Sequence, residues 1–148
     1  MDEDKLNRLP PDVKKQFLKL ALKLSEKKTK SKVHDDFLSF VKHVWPEFIE
    51  GRHHKEIADK FNRLAKGEIK RLIINMPPRH TKSEFASYLL PSWMVGRRPN
   101  LKIIQTTHTT ELAIRFGRKA KTLMDSEEYK QVFSTRLRED SQAAGKWE

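Results

Sequence analysis

The feature that most constrains the fold of this chain is the segment 77–83, with the sequence Pro-Pro-Arg-His-Thr-Lys-Ser. It follows a short apolar run, Leu-Ile-Ile at 72–74, and precedes a segment that is predicted to be helical. A strand, a tight loop and a helix that begins with Lys-Ser is the arrangement of a phosphate-binding loop. In such a loop backbone N–H groups cradle the phosphates, the Lys reaches the β- and γ-phosphates, and the Ser hydroxyl binds Mg²⁺. The general motif has glycines where this chain has Met76 and Thr81.

Composition limits the chain to one domain and excludes several protein classes. Its 148 residues are enough for a single modest core, with 36% hydrophobic and 34% charged residues. No apolar run approaches the roughly 18 residues of a membrane span, and the acidic N-terminus lacks the apolar stretch of a secretory signal. The chain has no cysteine, which excludes disulfides and thiolate metal sites and fits a reducing compartment.

The net charge of +11 indicates an anionic partner. The excess of Lys and Arg is spread over both halves of the chain and is not confined to a tail. Nucleic acid is a natural partner for such a protein, because phosphate neutralisation dominates these affinities. A lysine-rich solvated surface without a nucleic-acid partner is the alternative.

The first third of the chain is predicted to be helical and basic. Apolar residues at three- and four-residue spacing predict an amphipathic helix over 12–28. Eight lysines and one acid lie between Lys14 and Lys32, and the stretch 25–32 has no apolar residue, which predicts a flexible joint or a DNA-contacting arm. We therefore divide the chain into a basic helical leader and linker, 1–32, and a domain, 33–148.

The domain begins with two predicted helices, 33–44 and 53–66, the second of which ends at Gly67. His53 and His54 lie near the start of the second helix. Adjacent helical residues point in different directions, so we expect local packing or nucleotide contact from these histidines and no shared metal.

The remainder of the chain alternates between predicted strands and predicted helices. Strands are predicted at 70–75 and 101–107, and helices from Ser83, over 110–124 and over 126–133. This alternation predicts an α/β fold: an incomplete three-layer parallel sheet of the P-loop NTPase type, preceded by the N-terminal helices. Residues 105–107, Gln-Thr-Thr, would then end a strand and face the phosphate loop.

Residues 71–80 resemble the strand and Pro-Pro-Arg phosphate loop of a known family, the large terminase subunit of tailed bacteriophages, an ATP-driven DNA-packaging motor. In the order of that family, the segment 54–58 lies before these residues and the segments 107–113 and 117–147 lie after them. The resemblance covers residues 37–148. It implies ATP and Mg²⁺ as cofactors, and double-stranded DNA, the portal and the small terminase subunit as partners. It also implies a ring of subunits for the complete protein, located in the cytoplasm of an infected bacterium and transiently at the procapsid portal.

The resemblance also assigns roles within the loop. Lys82 would neutralise the β- and γ-phosphates, Ser83 would bind Mg²⁺, and backbone amides from Arg79 to Lys82 would surround the phosphates. Arg79 would stabilise the transferred phosphoryl group, with a structural ion pair to a nearby acid as the alternative, and packing or exposure is expected for His80. The predicted catalytic residues are Arg79 and Lys82, and the predicted nucleotide-binding residues are Pro78, Arg79, His80, Thr81, Lys82 and Ser83.

Features that such a motor needs for hydrolysis are not found after the loop. None of the acids after Lys82 ends a strand-like apolar run, and no nuclease-type carboxylate cluster follows. We therefore expect the N-terminal portion of a packaging ATPase, truncated before its hydrolytic acids, that binds ATP without hydrolysing it alone. Two alternatives stay open: a small basic nucleic-acid-binding protein with a vestigial loop, and another phosphate-loop enzyme such as a helicase or a small-molecule kinase.

Overall fold

The computed structural model describes residues 10–136 and the backbone of two short strands beyond them. The helices are α1 (Pro11–Asp35), α2 (Phe37–Val44), α3 (Arg52–Lys66), α4, α5 (Thr110–Asp125) and α6 (Glu127–Val132). Helix α4 comprises Lys82–Glu84, the π-helical Phe85–Leu89, and Leu90–Arg97 in succession. The strands β1 (Gln142–Ala143) and β2 (Lys146–Trp147) form an antiparallel pair.

The predicted helices α2, α3, α5 and α6 are confirmed to within a few residues, and their ends have the expected caps. The Asp36 carboxylate accepts a hydrogen bond from the Ser39 N–H at the start of α2, and the Thr109 hydroxyl accepts one from the Leu112 N–H at the start of α5. Helix α3 ends at Gly67, whose φ of 80° is the left-handed conformation typical of helix C-termini.

Helix α1 is longer than the sequence predicts and lies mostly outside the core. The stretch 25–32, which the sequence predicts to be a flexible joint, is part of this helix, and the helix continues to Asp35. Only Val33 of this helix is buried, and its other large apolar side chains are exposed, Leu22 at 64%. No helix in the part of the chain that the structure describes combines the length and apolarity needed to cross a membrane.

The core is an aromatic cluster formed by α2, α3, α4 and α6. The ring of Phe37, fully buried, makes edge-to-face contacts with the rings of Phe61, Phe85 and Trp93 at centroid distances of 5.0, 5.4 and 5.5 Å. Such contacts add to the free energy gained by burying the rings. Because Phe37 touches both α3 and α4, these helices are held in one rigid arrangement.

Trp93 and Tyr129, two fully buried side chains of the core, are hydrogen-bonded to backbone carbonyls. The Trp93 indole N–H donates to the His34 carbonyl at 3.1 Å, and the Tyr129 hydroxyl donates to the Ser92 carbonyl at 2.9 Å. Between α2 and α3 the Asn62 side chain donates to the Asp36 carboxylate and accepts from the Phe37 N–H. These bonds join the helices at fixed positions, since an unpaired buried polar group is costly.

The predicted three-layer parallel sheet is wrong. Within the described residues the only strands are β1 and β2, two residues each and antiparallel, whereas 71–77 and 101–107 are extended segments that pair with no strand. Leu72 and Ile74 pack against the core, but Ile73 is 86% exposed and Ile104 is 91% exposed. The short apolar runs predicted strands, yet a segment becomes part of a sheet only when a neighbouring strand satisfies its N–H and C=O groups.

Candidate phosphate-binding site

The loop 77–83 connects the extended segment 71–77 to helix α4. Of the predicted strand–loop–helix order, the loop and the helix are therefore present. The first hydrogen bond of α4 runs from the Phe85 N–H to the Thr81 carbonyl at 2.9 Å. The N–H groups of Lys82, Ser83 and Glu84 precede Phe85, the first N–H donor of the helix, and therefore have no partner within it. Unpaired N–H groups at a helix N-terminus favour an anion electrostatically.

Two loop residues that are not glycine adopt the left-handed backbone conformation. Arg79 has a φ of 64° and Thr81 a φ of 58°, and no other described non-glycine residue has a positive φ. This conformation costs an L-residue about 1–2 kcal/mol and is rare for a β-branched residue such as Thr. Thr81 occupies the position where the general phosphate-loop motif has glycine, the residue that adopts this conformation without strain.

The backbone around Thr81 has the form of an anion-binding concavity. Thr81, with φ 58° and ψ 7°, is followed by Lys82 in the right-handed conformation of α4. Alternation of left- and right-handed residues directs successive N–H groups to the same side, which is how backbone nests bind phosphate and other anions. The geometry of this loop is thus suited to an anion although it contains no glycine.

His54 of helix α3 is hydrogen-bonded to the loop through one ring nitrogen and to its own helix through the other. Its Nδ1 accepts from the Gly51 N–H at 2.9 Å, so Nε2 carries the proton and donates to the Thr81 hydroxyl at 2.5 Å. The Thr81 hydroxyl in turn donates to the His80 carbonyl at 2.6 Å. His54 is 6% exposed and contacts the Phe48 and Phe85 rings, so the core fixes its position.

The environment of His54 keeps its imidazole neutral. Burial, the main cause, and the neighbouring His53 and His80 lower its pKa below the ordinary value, while Glu50 opposes them. The neutral form is also the one that the hydrogen bonds require, because a protonated Nδ1 cannot accept from the Gly51 N–H. The ring therefore acts as a fixed donor to Thr81 at neutral pH.

The charged side chains of the loop are available to a ligand. Within residues 10–136 neither the Arg79 guanidinium nor the Lys82 ammonium forms an ion pair with an acid, so the alternative role of Arg79 in a structural ion pair has no support there. Arg79 and Ser83 are exposed and Lys82 is half-buried. Two unpaired cations beside unpaired N–H groups give the loop a positive potential.

The other two predicted loop residues are placed as follows. Pro78 is exposed, and its carbonyl accepts a hydrogen bond from His80 Nδ1 at 2.9 Å. His80 is itself exposed, and its ring lies 5.7 Å from that of His53. Exposure is one of the two placements expected for His80, and its role in nucleotide binding stays a prediction.

The loop offers one ligand to Mg²⁺ and no preformed metal site. The described residues contain no group of three His, Asp or Glu side chains that could hold a metal ion. The nearest acid in sequence, Glu84, is engaged by Lys119, whose ammonium lies 2.9 Å from both carboxylate oxygens. Mg²⁺ keeps several waters and is commonly bound through one or two protein groups together with substrate phosphates. Ser83 fits that role, and Mg²⁺ would neutralise phosphate charge when it arrives with a nucleotide.

The structure does not bring every predicted site residue to the loop. Gln105 and Thr106 are exposed in the unpaired segment 101–107, and the Thr107 hydroxyl donates to the Thr109 carbonyl at 2.6 Å. Sequence reasoning placed His54 near a nucleotide only in general terms and missed its bond to Thr81, 27 residues away. The signal that was available is Thr81 itself, because a β-branched residue at a glycine position needs an external partner.

A separate cleft lies between α4 and α5, with a volume of about 960 Å³. Tyr88, Ile114, Arg118 and Lys119 are among the residues that line it, and the Lys119–Glu84 ion pair connects it to the start of α4. Burial, and after it the Glu84 carboxylate, raise the pKa of Tyr88 to about 12, so that its phenol stays neutral. None of the predicted loop residues lines this cleft.

Comparisons of the chain with protein families, with curated proteins and with solved structures found no match.

Proposed function

We propose that this chain binds the phosphates of ATP, together with Mg²⁺, at the loop 77–83. The observation that carries the proposal is the left-handed conformation of Thr81, at the position where the motif has glycine, directly before Lys82 and Ser83. A β-branched residue in this conformation costs about 1–2 kcal/mol, and backbone strain of this kind is concentrated at ligand-binding sites.

The groups of the loop have distinct roles in this proposal. The N–H groups from Arg79 to Glu84 donate to phosphate oxygens, and the helix N-terminus adds a favourable field. The Lys82 ammonium neutralises charge on the β- and γ-phosphates, and the exposed Arg79 guanidinium reaches a terminal phosphate bidentately. Ser83 contributes its hydroxyl to the Mg²⁺ that accompanies the nucleotide.

We further propose that this ATP-binding segment belongs to a DNA-packaging terminase large subunit. The support is the Pro-Pro-Arg loop followed by Lys-Ser, and the order of the segments 54–58, 71–80 and 107–113. This support comes from the sequence alone, since the described residues form no parallel sheet. The chain alone is expected to hydrolyse ATP negligibly, because none of its acids after the loop ends a strand-like apolar run.

Calorimetric titration of the 148-residue chain with Mg-ATP tests the proposal. Lys82→Ala should weaken binding roughly tenfold to a hundredfold, since charge-assisted hydrogen bonds contribute about 1.5–3 kcal/mol. The matched control is Lys102→Ala, which removes the same charge from the exposed segment 101–107 and should leave the affinity unchanged.

Equal affinities for the wild type and Lys82→Ala would refute the assignment of the loop. Measurable steady turnover by the pure wild-type chain would refute the statement about hydrolysis.

A second function, nucleic-acid binding through α1, is favoured by a separate observation. Helix α1 carries Lys23, Lys27, Lys28 and Lys30 on exposed positions, with Glu26 as the one acid between Lys14 and Lys32. Such a surface predicts affinity for DNA that falls steeply with salt concentration, ignores ATP and survives Lys82→Ala. Failure to bind DNA at low salt would exclude this function.

A further inference from the structure

We infer that His54 is a positioning residue for the phosphate loop: its hydrogen bond to the Thr81 hydroxyl holds Thr81 in the left-handed conformation that glycine would adopt unaided. The inference deepens the proposed function and depends on it, because the conformation of Thr81 is what directs the loop N–H groups toward the phosphates.

The geometry joins the two residues through a continuous chain of hydrogen bonds. His54 Nε2 donates to the Thr81 hydroxyl at 2.5 Å, and that hydroxyl donates to the His80 carbonyl at 2.6 Å. The Thr81 side chain is therefore held between a buried ring of α3 and the backbone of its own loop. The bond joins residues 27 positions apart in sequence, so it connects helix α3 of the core to the loop.

The histidine is itself held in place from the core side. Its Nδ1 accepts from the Gly51 N–H at 2.9 Å, and its ring lies 4.8 Å from that of Phe48 and 5.1 Å from that of Phe85. Since Phe85 belongs to α4, directly after the loop, the same ring touches both elements that meet at the site. A residue fixed in this way can impose a conformation on its hydrogen-bond partner.

Arg79, the other left-handed loop residue, provides the contrast. It is exposed and not β-branched, so it adopts a positive φ with less crowding than Thr81. Within the described residues no side chain holds Arg79 by a hydrogen bond. The buried histidine is thus directed at the one left-handed position where the side chain makes the conformation most costly.

Substitution of His54 by Asn or by Gln retains one of its two hydrogen bonds and removes the other. Asn places an oxygen close to the position of Nδ1 and retains an acceptor for the Gly51 N–H, but it does not reach Thr81. Gln places an N–H close to the position of Nε2 and retains the donor to Thr81. We expect His54→Asn to weaken Mg-ATP binding roughly fivefold or more, and His54→Gln to remain within about twofold of the wild type.

Substitutions of Thr81 test the same bond without changing the core. Thr81→Ser keeps the hydroxyl and should lose less affinity than Thr81→Ala, which should lose roughly fivefold. Thr81→Gly should bind more tightly than Thr81→Ala, because glycine adopts φ near 58° freely. In the Thr81→Gly background, His54→Asn should have no effect on affinity.

The decisive quantity is this coupling between positions 54 and 81, read from affinity and from the backbone chemical shifts of residue 81. Shifts that leave the left-handed range in His54→Asn and in Thr81→Ala, with the folded state retained, support the inference. Affinities of His54→Asn and Thr81→Ala equal to that of the wild type would overturn it, as would an unchanged backbone conformation at residue 81.

Should His54→Asn fail to fold, the Thr81→Ser and Thr81→Ala pair decides alone. Absence of Mg-ATP binding by the wild type would instead refute the proposed function, while the chemical shifts would still test the bond.

Discussion

The aromatic core and the two extended segments both contain large apolar side chains, but the most exposed of these lie in the segments. Phe37 is 0% exposed at the centre of the cluster formed by α2, α3, α4 and α6, whereas Ile73 and Ile104 are 86% and 91% exposed. A helix satisfies its own backbone, so its apolar face needs only another face to pack against. An extended segment needs a paired strand as well, and among the residues that the structure describes neither 71–77 nor 101–107 has one.

The candidate site lies where these two regions meet. The extended segment 71–77 runs into the loop, and α4 begins at Lys82 and carries Phe85 and Trp93 into the core. His54 reaches the loop from the core side. The rigid region therefore determines the conformation of a loop whose other neighbour is exposed, as expected for binding groups held by a stable scaffold.

The largest predicted difference between the regions is in the free energy of unfolding. Phe37→Ala should lower it by about 3–5 kcal/mol, because it removes a buried ring and leaves a cavity among three other aromatic rings. Ile104→Ala, the matched control in the exposed segment, should change it by less than about 0.5 kcal/mol. Urea denaturation followed by circular dichroism measures both. Similar losses for the two variants would contradict the contrast, because they would mean that Ile104 is buried in solution.

Gly96 and Gly67 provide a second comparison, between a closely packed and an open position, with smaller expected changes in the free energy of unfolding. A Cβ at Gly96 would lie 2.6 Å from the Phe133 ring and from the Tyr129 hydroxyl oxygen, whereas a Cβ at Gly67 would meet no atom within 4 Å. Gly96→Ala should therefore cost roughly 1–3 kcal/mol through overpacking, although alanine is the better helix former. Gly67→Ala should cost about 1 kcal/mol through its positive φ alone.

Asparagine separates the two causes in the same denaturation experiment. Asn tolerates a left-handed backbone, so Gly67→Asn should cost less than Gly67→Ala, while Gly96→Asn should cost more than Gly96→Ala. A Gly96→Ala variant as stable as the wild type would show that α4 and α6 do not approach this closely.

The sequence predicted the helices well because their signals are local. The apolar spacing of α2, α3 and α5 and the capping residues Asp36 and Thr109 lie within or next to each helix. The sheet prediction failed because pairing is a property of two distant segments, and a short apolar run in one segment does not show that a partner strand lies beside it.

Helix α4 shows a third kind of outcome. Its start at the Lys-Ser pair was predicted, but it continues past Pro91, where the sequence predicts weakening. The π-helical Phe85–Leu89, closed by the Leu90 N–H bonding to the Phe85 carbonyl, lies directly before Pro91. A π segment shifts the hydrogen-bond register by one residue, which accommodates a proline that has no N–H to donate.

The sequence indicated the loop as the candidate site, and the role of its residues in binding stays a prediction. Thr81 stands where the general motif has glycine, and the structure has a left-handed conformation at that position. The partner that holds it, His54, belongs to another helix, and no spacing rule connects residues 27 positions apart. A non-glycine residue at a glycine position is therefore a reason to search the tertiary structure for a compensating contact.

The most direct test of the central claim is to follow the backbone amide resonances of the chain by NMR during a titration with Mg-ATP. The account predicts that the largest shifts fall on residues 79–84, whose N–H groups would donate to the phosphates, while residues 11–32 of α1 stay unchanged. Shifts confined to α1, or no shifts at residues 79–84 at saturating Mg-ATP, would contradict the claim that this loop binds phosphate.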